Sequence, residues 1–262
     1  MIAFRDAIAA EWLKSRRSRV PWAVIAGFSV APMICGLFMV ILKDPDAARR
    51  IGLLGTKAQL SAGTADWPTM LSLLAQAIAI GGGVLFAFLT AWVFGREFSD
   101  RTVRGMLAVP TSRRAIVLAK LAVMLGWGLV GSAWVIVLGF ALGSMIGLPG
   151  WSPELASAAL VRMAAAATLT LVLQTGTALF AGLGRGYIAP LAWMVATIVA
   201  AQVLVVLGWG SVFPWAVPAL VSGAAGADAL DVPAASYVIV LAAGLIGLVA
   251  TIAWWERTDH TG

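Results

Sequence analysis

Charge is scarce in this chain. Asp, Glu, Lys and Arg make up only 11% of its residues, against about a quarter in a soluble domain. Hydrophobic residues make up 61%, so a water-soluble globular fold is excluded and an integral membrane protein is expected. Cysteine is limited to Cys35, inside an apolar run, which rules out a disulfide framework or a thiolate metal site within one chain. The one histidine, His260, stands beside Asp259 after the last apolar run. A histidine nucleophile, metal cage or proton relay within the membrane is therefore excluded. No acid sits deep in an apolar run, whereas ion-driven transporters and intramembrane aspartyl proteases need such carboxylates. No Gly-x-x-x-x-Gly-Lys-Ser/Thr occurs, and none of the four lysines follows a glycine. The chain does not bind ATP as a P-loop protein, so uphill transport would draw its energy from another polypeptide.

What is present is a series of long apolar runs, and the expected fold is all-α with six transmembrane helices. The spans are predicted at about Pro21–Leu42, Met70–Phe94, Ala115–Ile146, Glu154–Leu183, Ile188–Leu207 and Ala235–Trp255. Met1 to Trp22 has the basic start of a signal peptide, but the run behind it is long enough to span and reads as a retained first helix. Phe4, Ile8 and Trp12 fall four apart, with Arg5, Lys14, Arg16 and Arg17 beside them. That pattern suits an N-terminal interfacial helix, with a basic tail as the alternative. Basic residues otherwise cluster at run edges, so the net charge of +6 reads as a topology signal and anionic-lipid contact, not as nucleic-acid binding. The asymmetry places both termini in the cytoplasm, although Lys43, Arg49, Arg50 and Lys57 fall on the outer side.

Several polar features interrupt the runs. Gly81-Gly82-Gly83 in the second span permits tight packing, a substrate site or a hinge. Gln76, Gln174 and Gln202 are candidate pathway or interhelical contacts, Gln174 being expected to bond across helices. Arg162 in the fourth span is expected to snorkel, pair with an acid or face the protein. Lys120 is expected to snorkel from the start of the third span. Ser152-Pro153-Glu154 is a helix start, and Gly182 to Tyr187 a tight inner turn. Gly208 to Pro233 contains no Lys or Arg, and its Phe213, Pro214, Trp215 and Pro218 suit a re-entrant outer element before span six.

The densest charge lies from Gly95 to Arg114, an island with five arginines between the second and third spans. Val103, Met106 and Leu107 at i, i+3 and i+4 would give a short helix one apolar face. Arg101 and Arg104 would flank it, Pro110 would end it, and Thr111 or Ser112 would cap the helix that follows near Arg113. A solvated loop with positive-inside anchors explains the arginines equally and stays open as an alternative.

The order Glu97, Asp100, Thr102, Leu107, Pro110, Ser112, Arg113 and Lys120 resembles that of permease subunits of type-2 ATP-binding-cassette (ABC) exporters, including the bacitracin and lantibiotic immunity permeases. The resemblance implies a single type-2 ABC transmembrane domain over residues 1–262, in the cell (inner or plasma) membrane. It implies a cytoplasmic coupling helix docking on a separate P-loop ATPase, through Glu97, Asp100, Arg101, Thr102, Val103, Arg104, Met106, Leu107 and Pro110. Two ATPase copies would carry the ATP and Mg, this chain binding no cofactor or metal and catalysing nothing. A second permease copy, identical or related, would complete a pathway for a peptide, antibiotic, drug or lipid-like substrate. Arg101 departs from the family, which often has Gly before the Thr, and this bears on the local turn. A membrane scaffold or sensor without a pathway is the alternative from another class, and a secondary transporter or channel a third.

Overall fold

A computed structural model of the chain describes residues 2–50, 63–103, 105, 111–224 and 232–258, which are helices and turns without strand. Six helices among them are long and apolar enough to cross a membrane. A first helix, Ile2–Arg17, precedes them. The spans are Val20–Lys43, Trp67–Ser99, Arg113–Ile146, Pro153–Leu183, Ile188–Val206 and Ala234–Arg257. The expected boundaries hold to within a few residues, with the largest extension at the charged end of the second span.

Local chemistry sets the helix starts. Asp66 accepts from the Thr69 amide (2.9 Å), Ser112 from Ala115 (3.2 Å) and Ser152 from Leu155 (3.1 Å), each capping the helix it precedes. The second span is not uniform. It runs as α-helix over Trp67–Gln76, widens to π-helix over Ala77–Gly81, and returns to α-helix over Gly82–Ser99. A π-turn leaves one backbone step out of the α-ladder and bends the helix locally, here directly before the consecutive glycines.

The second span is the central one, with 56% of its most apolar stretch buried against 11% for the fifth. Phe28, Phe86, Leu74, Ile78 and Met124 form the core around it. The sixth span lies on the fourth through Gly244 and Gly247. A Cβ on Gly247 would come within 2.8 Å of the Gly176 backbone nitrogen, so only glycine admits this approach. Between the fifth and sixth spans, the described residues form a 3-10 turn, Gly210–Val212, and a short helix, Val217–Val221. Val217 and Val221 pack on Leu169, Leu173 and Val240, which places this element against the fourth and sixth spans.

The first helix, the end of the second span and the start of the third converge at one end of the bundle, called the basic end below. Arg113 closes that end by donating to the carbonyls of Trp255 (3.0 Å), Glu256 (3.2 Å) and Thr258 (3.1 Å) at the end of span six. Arg114 pairs there with the Glu256 carboxylate.

Candidate functional site

Five charged side chains from three helices meet at the basic end. Lys120, about 10 Å into the third span at 1.5 Å per residue, is fully buried. Its three N–H groups reach Glu11 (3.2 Å), Glu97 (3.1 Å) and the Val93 carbonyl (3.0 Å), which matches the donor count of an ammonium. The snorkelling expected of it is therefore corrected: two carboxylates and a carbonyl hold it inward. Glu11 also accepts from Arg96 (2.6 Å) and Lys14 (2.8 Å). Glu97 accepts from Lys14 (3.1 Å) and from the Thr102 hydroxyl (2.6 Å). Arg96 lies 4.5 Å over the Trp92 ring, a cation–π contact.

An isolated charge in such a place would be expelled or neutralised. Three cations and two carboxylates pair with one another here, so the cluster fastens the first helix to the junction of spans two and three. Burial alone pushes the Glu11 carboxyl up, but the Lys120, Lys14 and Arg96 cations together overcome it and hold the group below its ordinary value. For Lys14, burial opposes the charge, and Glu11 with Glu97 raise it above the usual lysine value. Ser15 adds a neutral tie by accepting from the Trp127 indole (3.0 Å).

Directly beyond Glu97 the second span ends in a Schellman turn. The Thr102 amide returns to the Glu97 carbonyl (2.9 Å) and the Arg101 amide to Phe98 (3.2 Å). Arg101 sits at φ +56°, the left-handed region that favours glycine. The arginine that stands where the family often has Gly therefore sits in a strained backbone. Asp100 and Thr102 are exposed, whereas Val103 is buried. Arg104, Met106, Leu107 and Pro110 lie outside the described residues.

The fourth span ends the same way. Gly186 bonds back to Ala181 (3.3 Å), Arg185 to Gly182 (3.1 Å), and Arg185 has φ +48°. This turn rests on the second span at Gly95, where a Cβ would lie 2.9 Å from the Gly186 carbonyl. An open cavity of about 710 Å³ lies between the first helix and the end of the second span, with Asp6, Lys14, Glu97, Asp100 and Thr102 on its walls.

The glutamines divide. Gln174 and Gln202 line one cavity of about 80 Å³, together with Thr170, Thr177, Thr197 and Gly83, beside the π-turn of span two. Gln76 is elsewhere and donates to Ser72 in its own helix (3.2 Å). Gln174 makes no bond across helices among the described residues. Its amide donates to the Thr170 carbonyl (3.2 Å) and its oxygen accepts from Thr177 (3.0 Å), both in the same span. Arg162 is half-buried. Sequence reasoning missed Glu11, Lys14 and Ser15 as parts of the site. The available signal was Lys120 itself, since a lysine inside an apolar run calls for a carboxylate from elsewhere in the fold.

The profile of a family described as ABC-2 family transporter protein matches residues 7–201. That range holds the five clustered charges, the whole 95–114 stretch and Gln174, and stops one residue short of Gln202. The bacitracin transport permease protein BCRB of Bacillus licheniformis is 27% identical over 187 residues, covering 68% of this chain and 85% of that protein.

Proposed function

The chain belongs to the ABC-2 family of transporter proteins, a membrane subunit of an ABC transporter, and from that premise we propose how it is driven. The basic end faces the cytoplasm, and the stretch from Arg96 to Pro110 docks on a separate ATPase that binds and hydrolyses ATP. Two ATPase copies serve two permease chains. Closure of the ATPase pair pushes the docked stretch, and the shift enters the membrane through the charge cluster. The cluster joins the docked stretch to the first helix and the third span, so the three move together. The Gly95 contact passes the shift to the turn between spans four and five. The π-turn and glycines of span two are where that helix bends, next to the cavity of Gln174 and Gln202.

The observation that carries this reading is the position of the cluster, seated at the root of the charged stretch and built from three separate helices. Val103 is buried inside the protein, and contact with the ATPase is assigned to Met106 and Leu107. Similarity to a protein named as a bacitracin transport permease supports export of a peptide antibiotic or a related amphipathic substrate.

The test is co-purification. Met106→Asp and Leu107→Asp are expected to abolish association with the ATPase while leaving membrane insertion unchanged. Retention of the ATPase by both inserted variants would favour a scaffold whose loop is indifferent to these residues. Labelling of a cysteine at position 104 only from outside the cell would overturn the orientation.

A further inference from the structure

We propose that a groove between the first helix, the first span and the third span binds one anionic phospholipid, an acyl chain lying along it and Arg16 holding the headgroup. The groove has a volume of about 660 Å³ and is walled by Trp12, Trp22, Trp127 and Trp134. A lipid-facing surface is ordinarily covered by mobile side chains, and here the walls are fixed. Trp127 donates its indole N–H to Ser15 (3.0 Å), and Trp134 donates to Ser29 (2.8 Å). Trp12 stacks on Trp127 at 5.5 Å, and Trp22 meets Trp127 edge-on at 5.3 Å. The bonded indoles turn hydrocarbon faces to the groove and leave its interior suited to an alkyl chain.

The floor is one face of the third span, Val130, Ala133 and Val137. From Trp127 to Val137 this face extends about 15 Å at 1.5 Å per residue, the scale of a single acyl chain. Charge selects the headgroup. Arg16 stands at the groove, and no acid lines it among the described residues. The nearest acid on the same helix, Glu11, is turned away and held by Lys120, Arg96 and Lys14. Arg17 and Arg19 are exposed beside it and reinforce the positive field. The exposed face of the fifth span makes the contrast, presenting Val195, Val199 and Val203 with no basic residue in that helix.

The test uses the full chain in phosphatidylcholine vesicles doped with phosphatidylglycerol that carries a photoreactive diazirine on one acyl chain. A phosphatidylcholine probe with the same chain serves as control, and adducts are mapped by peptide mass spectrometry. Adducts from the phosphatidylglycerol probe are expected to concentrate on residues 12–25 and 127–137 and to exceed those from the control. Arg16→Gln should reduce that excess about five-fold, the factor matching one basic residue near an anionic surface. Arg16→Lys should preserve it. Ala133→Phe should empty the groove and leave labelling of the fifth span unchanged. Equal labelling by both probes, adducts spread evenly around the bundle, or an excess indifferent to Arg16→Gln would overturn the proposal. So would disulfide crosslinking between copies carrying Ala133→Cys, which would assign the groove to a second copy. Arg16 is exposed, so its variants keep the test valid if Ala133→Phe fails to fold.

Discussion

Replacing Glu11 by Gln keeps the side chain's shape and removes its charge. Lys120, fully buried, then has Glu97 as its one carboxylate, and Arg96 loses its 2.6 Å partner. Removing one member of a buried pair costs about 3–5 kcal/mol, because the other charge stays desolvated. Lys120→Met should cost a similar amount by leaving two carboxylates with fewer cations. The double variant removes one charge of each sign and restores the original net charge of the cluster. It should therefore lose about 2 kcal/mol less than the sum of the single losses, within the range of coupling between groups in contact. Lys14→Ala is the control. Its side chain is 43% exposed, so solvent screens its pairs and the cost should stay below about 1 kcal/mol. The assay is unfolding of the four purified variants and the parent in one detergent, followed by tryptophan fluorescence. Proteolysis of the first helix reports whether it has detached. Additive losses of about 1 kcal/mol for Glu11→Gln and Lys120→Met, with the first helix still protected, would refute the clamp.

The depressed Glu11 carboxyl and the raised Lys14 amine fix the pH response. Glu11 contributes stability in full above its ordinary value of 4.5, and that contribution is lost as pH falls through its lower folded value. Lys14 contributes in full below 10.5 and loses its contribution as pH rises through its higher folded value. The thermal midpoint should be insensitive to this pair between those limits, and Glu11→Gln should shrink the acid-side decline. Arg101→Gly should stabilise the protein by about 1 kcal/mol, since glycine takes the left-handed region without the penalty of a Cβ; a drop in the unfolding midpoint would contradict the turn at φ +56°. Gly95→Val should separate the second span from the turn at Gly186, leaving ATPase association intact and reducing transport in reconstituted vesicles. Full transport with that variant would remove the contact from the path.

The spans were legible because bilayer thickness imposes a length and a composition on each one, and the hydroxyl caps at Ser112 and Ser152 mark starts that any helix needs; the Asp66 cap came only with the structure. Arg101 was legible in part. Its identity against the family's usual glycine located the strained turn, but not the sign of φ. The charge cluster was hidden because its members stand far apart in the chain, Glu11 and Lys120 above all, and pair only once three helices meet. Local periodicity carries no information about such a pairing. Lys120 was read as a residue able to stretch to the headgroups, which holds only where the helix faces lipid. The third span turns this position onto the second span and the first helix, so the ammonium has carboxylates nearer than water. Gln174 failed as a cross-helix donor for the opposite reason. Thr170 and Thr177, one turn away on each side, satisfy it within its own helix.

The division of labour along the second span links these parts physically. Its start is pinned by the Asp66 cap and by Trp67 against Trp151 at 4.8 Å and Phe140 at 5.6 Å. Its basic end is pinned by ion pairs to the first helix and the third span. A helix held at both ends responds to a push by yielding where its ladder is weakest. That place is the π-turn at Ala77–Gly81, and the neighbouring Gly83 lies against Thr170 at the wall of the cavity that holds Gln174 and Gln202. A push at the charged stretch on the proposed reading therefore changes shape where the polar cavity lies, and leaves the two anchored ends as rigid bodies. Ala substitution at Gly81, where an added Cβ meets nothing within 4 Å, stiffens the bend without a clash. Slower transport with folding stability raised by up to about 1 kcal/mol in that variant is the outcome this mechanics requires, and an unchanged rate would place the yielding element elsewhere.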